Sequence, residues 1–194
     1  MSRARAAIDP EEMGLPKDYF LFAGRLAPEK NVAGLLRSFV EYCATGGSWS
    51  LVLAGDGPLR NELREQARSA GVAGRVQFVG LKDSHELATL YTFARCFVLA
   101  SVLEPWGLVV NEAMASGLPV IVSNRCGCAD DLVEHGANGF IFDPAREDVL
   151  TARLHRVSTL NKIQLARMGE RSKEIIAGYS LETWASEVAR LVRT

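Results

Sequence analysis

The feature that most constrains this chain is a rhythm. Short apolar runs stopped by Gly or a small residue alternate with longer stretches in helical spacing. YFLFAG (Tyr19–Gly24) reads as a buried strand. The stretch after it places Val32, Leu35, Leu36, Phe39 and Val40 on one helical stripe and ends at a Gly pair. SLVLAG (Ser50–Gly55) reads as a second strand, and Pro58 as the first residue of a polar-faced helix that stops at Gly71. RVQFVG is the third strand. Asp83 and Glu86 have capping-box spacing at the head of SHELATLYTFA. CFVLAS is the fourth strand, and GLVVNEAMASG is a helix apolar nearly all round, hence expected to be buried. LPVIVSN, ADDLVEHG and GFIFDP follow as strand, short helix and strand, and from Arg146 onward only helix is expected, in two or three pieces.

Strands joined by helices make parallel βαβ units with helices on both faces of the sheet. The predicted class is therefore α/β: a Rossmann-like, doubly wound parallel sheet of about six strands with C-terminal helices. A length of 194 residues suits one such domain over 18–194, after a linker-like lead-in over 1–17. A formal net charge of −1 leaves no basic footprint for nucleic acid. No apolar run approaches the ~20 residues that span a bilayer. Arg3 and Arg5 are followed by no apolar segment of the signal-peptide kind. Cys43, Cys96, Cys126 and Cys128 lack metal-ligand spacing, and read as reduced thiols of a cytoplasmic protein.

Open α/β sheets bind ligands outside the carboxyl ends of their strands. After the first strand, GRLAPEKN carries Arg25 and Lys30, a fork and a point charge that suit a diphosphate. Two solvated surface cations are the plainer alternative. After the second strand, Gly55-Asp56-Gly57 lacks the third Gly of a dinucleotide fingerprint and reads better as a tight turn. After the fourth strand, EPWGLVVNEAMASG sets Gly107 just before a helix, so the amides near Leu108 and Val109 lack intrahelical partners and form an anion site. Glu104 precedes that helix and Glu112 lies about one turn inside it. A carboxylate so placed repels phosphate but accepts well from sugar hydroxyls. The alternative is that Glu104 is solvated and Glu112 pairs with a nearby Arg or Lys. His85, His135 and His155 read as surface or capping residues, and Asp130–Asp131 as an ordinary acidic helix start. A Walker A run, a Gly-x-Ser-x-Gly elbow and an Asp-x-Asp pair are all missing from the sequence.

GRLAPEKN, LVLAGDGP, VQFVG and above all EPWGLVVNEAMASGLPVIVSN resemble the retaining, nucleotide-sugar-dependent glycosyltransferases of the group 1 type (family 4, GT-B fold). Glu104 and Glu112 look like that family's Glu-x7-Glu motif, and DLVEHGANGFIFDP like its following block. The resemblance runs from about Asp18 to the final helix and covers only the donor-binding half of such an enzyme. It implies an acceptor-binding N-terminal half that is absent here. It further implies that Arg25 and Lys30 grip the diphosphate, as do the amides of Gly107, Leu108 and Val109. Glu112 would accept from ribose hydroxyls, and Glu104 would touch the donor sugar near the reacting face. Gly24 would count among the donor-binding positions, and the backbone of Gly80 and Leu81 would meet the base. The implied reaction is metal-independent hexosyl transfer with retention from a nucleoside-diphosphate sugar, with no cofactor. The acceptor, of the kind used in polysaccharide or glycolipid biosynthesis and reachable at a membrane surface, would be held by the other half. This half alone would be inactive. Two departures stand out: Trp106 where Phe is frequent, and RCGCADD where Gly-Gly-x-x-Glu is commoner.

Two alternatives share the nucleotide site: a non-catalytic nucleotide-sugar binding module, and half of a nucleotide-sugar epimerase. A dehydrogenase is disfavoured by the missing third Gly. One further expectation concerns SLETWASEVARLVRT, where Leu181, Trp184, Val188 and Leu191 form a stripe behind a Ser180 cap, suited to meeting the other half or, as the plainer alternative, to docking on its own domain.

Overall fold

The computed structural model describes residues 14–179, so the stripe of Leu181, Trp184, Val188 and Leu191 lies outside the described residues. Six strands, β1 (Tyr19–Ala23), β2 (Ser50–Ala54), β3 (Val76–Gly80), β4 (Cys96–Leu99), β5 (Val120–Ser123) and β6 (Gly139–Phe142), form one sheet in the order β3-β2-β1-β4-β5-β6. Every neighbouring pair is parallel. The helices between and after them are α1 (Val32–Ala44), α2 (Arg60–Ser69), α3 (Ser84–Phe93), α4 (Leu108–Ala115), α5 (Ala129–Leu132), α6 (Glu147–Ser158) and α7 (Lys162–Ala177). This is the doubly wound sheet that the alternation predicts.

The burial pattern follows from that order. β1, β4 and β5 are buried at every residue, because a parallel strand inside the sheet is covered on both faces. β3 is an edge strand, and only Val76 of it is buried. Right-handed crossovers running one way from β1 to β3 and the other way from β4 to β6 place their helices on opposite faces. Accordingly α1 packs with α2 and α6, while α4 and α5 pack with α7. Arg37 of α1 clasps Glu147 of α6 through Nε (3.0 Å) and Nη2 (2.5 Å), and Thr151 Oγ1 donates to the Ser38 carbonyl (3.2 Å). On the other face Ser172 Oγ of α7 donates to the Leu118 carbonyl at 2.7 Å.

Two local expectations are corrected. Pro58 stands in a turn ahead of α2, which starts at Arg60, because Leu59 N–H is drawn off the helix axis to the Leu26 carbonyl (3.0 Å). The α4 helix is only half buried. Val110, Ala113 and Met114 face the core, whereas Leu108 and Glu112 are exposed. Its apolar composition misleads because it lies at the carboxyl edge of the sheet with one side open.

The strand order reverses between β1 and β4. Chains leaving those two neighbours turn to opposite faces and leave a crevice at the carboxyl edge. Backbone bonds tie its walls, with Val102 N–H donating to the Glu29 carbonyl at 2.9 Å.

Candidate functional site

A cavity of about 470 Å³ opens at the carboxyl ends of β1 and β2. Its wall includes Gly24 and Arg25 after β1, Gly55 and Asp56 after β2, Leu81 and Lys82 after β3, Leu87 of α3 and Val109 of α4. Four predicted site residues therefore line it: Gly24, Arg25, Leu81 and Val109. Arg25 is exposed and forms no ion pair with a described residue. Asp56 is occupied locally, accepting from Gly57 N–H (2.7 Å) and from Arg60 Nη1 (2.8 Å).

The glycines of this wall have identifiable reasons. Gly55 has φ +134°, and a Cβ there would stand 1.9 Å from the Gly24 carbonyl oxygen. A Cβ on Gly57 would stand 2.4 Å from the Leu26 carbonyl oxygen. The loops after β1 and β2 thus lie backbone to backbone, joined by Leu26 N–H to the Asp56 carbonyl at 2.9 Å. Gly-Asp-Gly is a packing device, in keeping with the turn reading. Gly80, at φ +77°, accepts from Gly55 N–H (2.7 Å) and turns the chain so that Leu81 stands 77% exposed at the rim.

Lys30 and Glu104, 74 residues apart, form a part-buried ion pair across the β1–β4 crevice. Ser101 Oγ adds a longer contact to the same carboxylate oxygen (3.4 Å). Neither residue lines the 470 Å³ cavity. Their meeting follows from strand order, since β1 pairs with β4 and the two loops leave side by side. The Glu104 loop is braced from behind by RCGCADD. Gly127 N–H donates to the Glu104 carbonyl (2.9 Å), and a Cβ on Gly127 would fall 2.0 Å from the Pro105 carbonyl oxygen. The departure from the commoner run therefore keeps a glycine where the two loops touch. Trp106 also makes a bond that Phe could not, its Nε1 donating to Asn111 Oδ1 at 3.0 Å and tying the loop to α4.

Gly107 is buried at φ +102° and swings the chain into α4. The first ladder bond of that helix is Val110 N–H to the Gly107 carbonyl (2.8 Å). The amides of Leu108 and Val109 precede it and point out of the helix end. Leu108 is 69% exposed and Val109 faces the cavity.

Glu112 stands further along α4, at a second cavity of about 320 Å³ that also takes in Ser84, Tyr91 and Ser116. Leu87 is common to both cavities, which makes them neighbours. The expected alternative for Glu112, an Arg or Lys partner, does not hold among the described residues. Its partner is Tyr91, whose hydroxyl donates to Glu112 Oε2 at 3.0 Å. Burial, and after it the nearby Glu112 charge, holds the Tyr91 phenol well above its ordinary pKa, so it stays a donor.

Sequence reasoning missed Tyr91, Lys82 and Leu87. Lys82 had a visible signal, a cation directly after the turn at Gly80 and Leu81, but it is paired to Glu86 at 2.7 Å. Among the described residues no cluster of three His, Cys, Asp or Glu could hold a metal, and no helix is long and apolar enough to cross a membrane.

Comparison with known proteins gives one answer. The family model described as "Glycosyl transferases group 1" matches residues 7–175. An uncharacterized glycosyltransferase of Methanocaldococcus jannaschii is 31% identical over 173 residues, 89% of this chain and 44% of that protein. The alpha-D-kanosaminyltransferase of Streptomyces kanamyceticus is 27% identical over 194 residues, 99% of this chain and 50% of that protein. The chain thus spans about half the length of these curated relatives. Among solved structures, Anabaena HepE in complex with UDP superposes with a TM-score of 0.83 at 23% identity, over 95% of this chain and 51% of that one. The C-terminal domain of a group 1 glycosyl transferase (LpcC) from Francisella tularensis superposes at 0.80 with 20% identity, over 91% of this chain and 95% of that one.

Proposed function

This chain belongs to the group 1 glycosyl transferases, and from that premise we propose that it is the donor-binding half of a hexosyltransferase. It would take a nucleoside-diphosphate sugar, work with a further domain that holds the acceptor, and transfer the sugar with retention and without a metal. The observation that carries the reading is the convergence at the sheet's reversal point. Arg25, without an ionic partner among the described residues, and Val109 at the α4 N-terminus line one cavity, and the Lys30–Glu104 pair joins the loops that leave the neighbouring strands β1 and β4.

The chemistry follows from where charge develops. As the glycosidic bond breaks, negative charge grows on the departing diphosphate. Arg25 offers a fork of donors and the α4 N-terminus offers fixed amides, both set before reaction. Lys30 adds a point charge once it exchanges Glu104 for phosphate. Stabilising the leaving group more than the ground state lowers the barrier, and one such donor is typically worth about 3 kcal/mol. Glu104, released from Lys30, is then available to the sugar hydroxyls on the reacting side, and Glu112 accepts from the ribose. We place the reaction in the cytoplasm, where four free thiols stay reduced.

Calorimetry tests the reading. UDP, the nucleotide bound to HepE, is the first probe, followed by GDP and ADP, each with and without chelator. Binding that vanishes with chelator would overturn metal independence. Binding of none of the three would overturn the nucleotide site. Adding a separately expressed acceptor domain should restore transfer. Persistent binding without transfer would favour the non-catalytic module instead.

A further inference from the structure

Tyr91 is a buried polar side chain whose side-chain partner, Glu112, is a residue of the proposed site. It is 3% exposed, and its ring lies 5.8 Å from that of Phe97. Its hydroxyl bonds Glu112 Oε2 at 3.0 Å and lies 3.4 Å from the Val109 carbonyl. A glutamate on an exposed helix face ordinarily samples several rotamers, and ordering it on ligand binding costs free energy. Here one carboxylate oxygen is held before any ligand arrives. An ionised carboxylate has about four lone-pair sites. Tyr91 uses one, and Glu112 Oε1 accepts from no described residue. A carboxylate fixed through one oxygen and open at the other is suited to a pair of adjacent hydroxyls.

We infer that Tyr91 is a positioning residue for nucleotide recognition, fixing the Glu112 carboxylate so that it reads the vicinal diol of the ribose. The inference rests on the reading of Glu112 given above. It concerns discrimination more than raw affinity. A ligand lacking the diol gains nothing from the fixed carboxylate, so Tyr91 is silent toward it. The substitution that isolates this role is Tyr91→Phe, which keeps the buried ring and its contact with Phe97 and removes only the donor.

The test is calorimetry on this chain with the tightest-binding of UDP, GDP and ADP, its 2′,3′-dideoxy analogue and inorganic diphosphate, for wild type, Tyr91→Phe and Glu112→Gln. Wild type should prefer the diol-bearing nucleotide over the dideoxy form by about tenfold or more, the scale of a hydrogen bond to a charged group. Tyr91→Phe should cut that ratio by about three- to tenfold and leave binding of dideoxy nucleotide and diphosphate unchanged. Three outcomes overturn the inference. If Glu112→Gln collapses the ratio and Tyr91→Phe does not, Glu112 reads ribose without help from Tyr91. Equal losses for all three ligands in Tyr91→Phe make the tyrosine merely structural. A ratio intact in Glu112→Gln, or no binding of any of the three nucleotides, defeats the reading on which the inference stands.

Discussion

Gly55→Ala separates two explanations of the Gly-Asp-Gly turn. If the glycine lets a ligand phosphate approach, a methyl group should impair binding and spare the fold. The structure argues the reverse. The new Cβ would stand 1.9 Å from the Gly24 carbonyl oxygen, whereas real Cβ atoms essentially never come closer than 3.0 Å. The carbonyl must therefore retreat by at least about 1 Å. Two bonds hold this place, Gly24 N–H to the Ala54 carbonyl (2.9 Å) and Gly55 N–H to the Gly80 carbonyl (2.7 Å). Each is worth about 1 kcal/mol net, and more if a group is left unpaired. A side chain held at φ +134° adds about 1–3 kcal/mol of strain. The expected loss is about 3–6 kcal/mol, or roughly 6–24 °C in melting midpoint at the 2–4 °C per kcal/mol of a domain this size. Urea unfolding of Gly55→Ala beside Gly74→Ala is the assay. Gly74 has no atom within 4 Å of a Cβ, so its alanine should be neutral or stabilising by about 0.4–1 kcal/mol. Gly55→Ala at wild-type stability, with UDP binding lost, would refute the packing argument.

Three further perturbations follow from the same geometry. Glu104→Gln releases Lys30 from its part-buried partner, so inorganic diphosphate should bind about three- to tenfold tighter by calorimetry, a gain on the order of 1 kcal/mol, while weaker diphosphate binding would mean that Lys30 does not meet the anion. Gly127→Ala sets a Cβ 2.0 Å from the Pro105 carbonyl oxygen and should push the Glu104 loop outward, costing several kcal/mol in urea unfolding; an unchanged midpoint counts against that contact. Burial pushes the Cys126 thiol up to about 12 and the Cys128 thiol up to about 11, from an ordinary 9.0. Because the folded values are the raised ones, the unfolded chain loses these protons first. Stability is then full below about pH 9 and falls as pH rises toward 11–12, by up to 1.36 kcal/mol per pH unit for each thiol. The urea midpoint should drop between pH 9 and 10, and drop less in a Cys126→Ala/Cys128→Ala variant; an equal drop in both would assign the effect elsewhere.

What was legible in the sequence is what short-range physics controls. Residues within a few positions share a hydrogen bond or a periodic face whatever the rest of the chain does. That is why the Asp83–Glu86 capping box forms as its spacing predicts, and why the strand and helix alternation survives as six strands and their connections. The α4 helix and Pro58 mark the limit of that reasoning. An apolar composition cannot say which side of a helix is left uncovered at a sheet edge, and a proline's helix preference yields to a carbonyl offered by another loop.

The site itself belongs to long-range contacts. Lys30 meets Glu104 because β1 and β4 are neighbours. Tyr91 reaches Glu112 because α3 and α4 flank one crevice. Gly127 braces Pro105 because two loops run together at the carboxyl edge. The sequence by itself determined the elements and marked the polar residues that could carry chemistry. Only the tertiary structure decided which of them pair, because strand order and crossover direction are set by burying the whole sheet at once, and no local stretch contains that information.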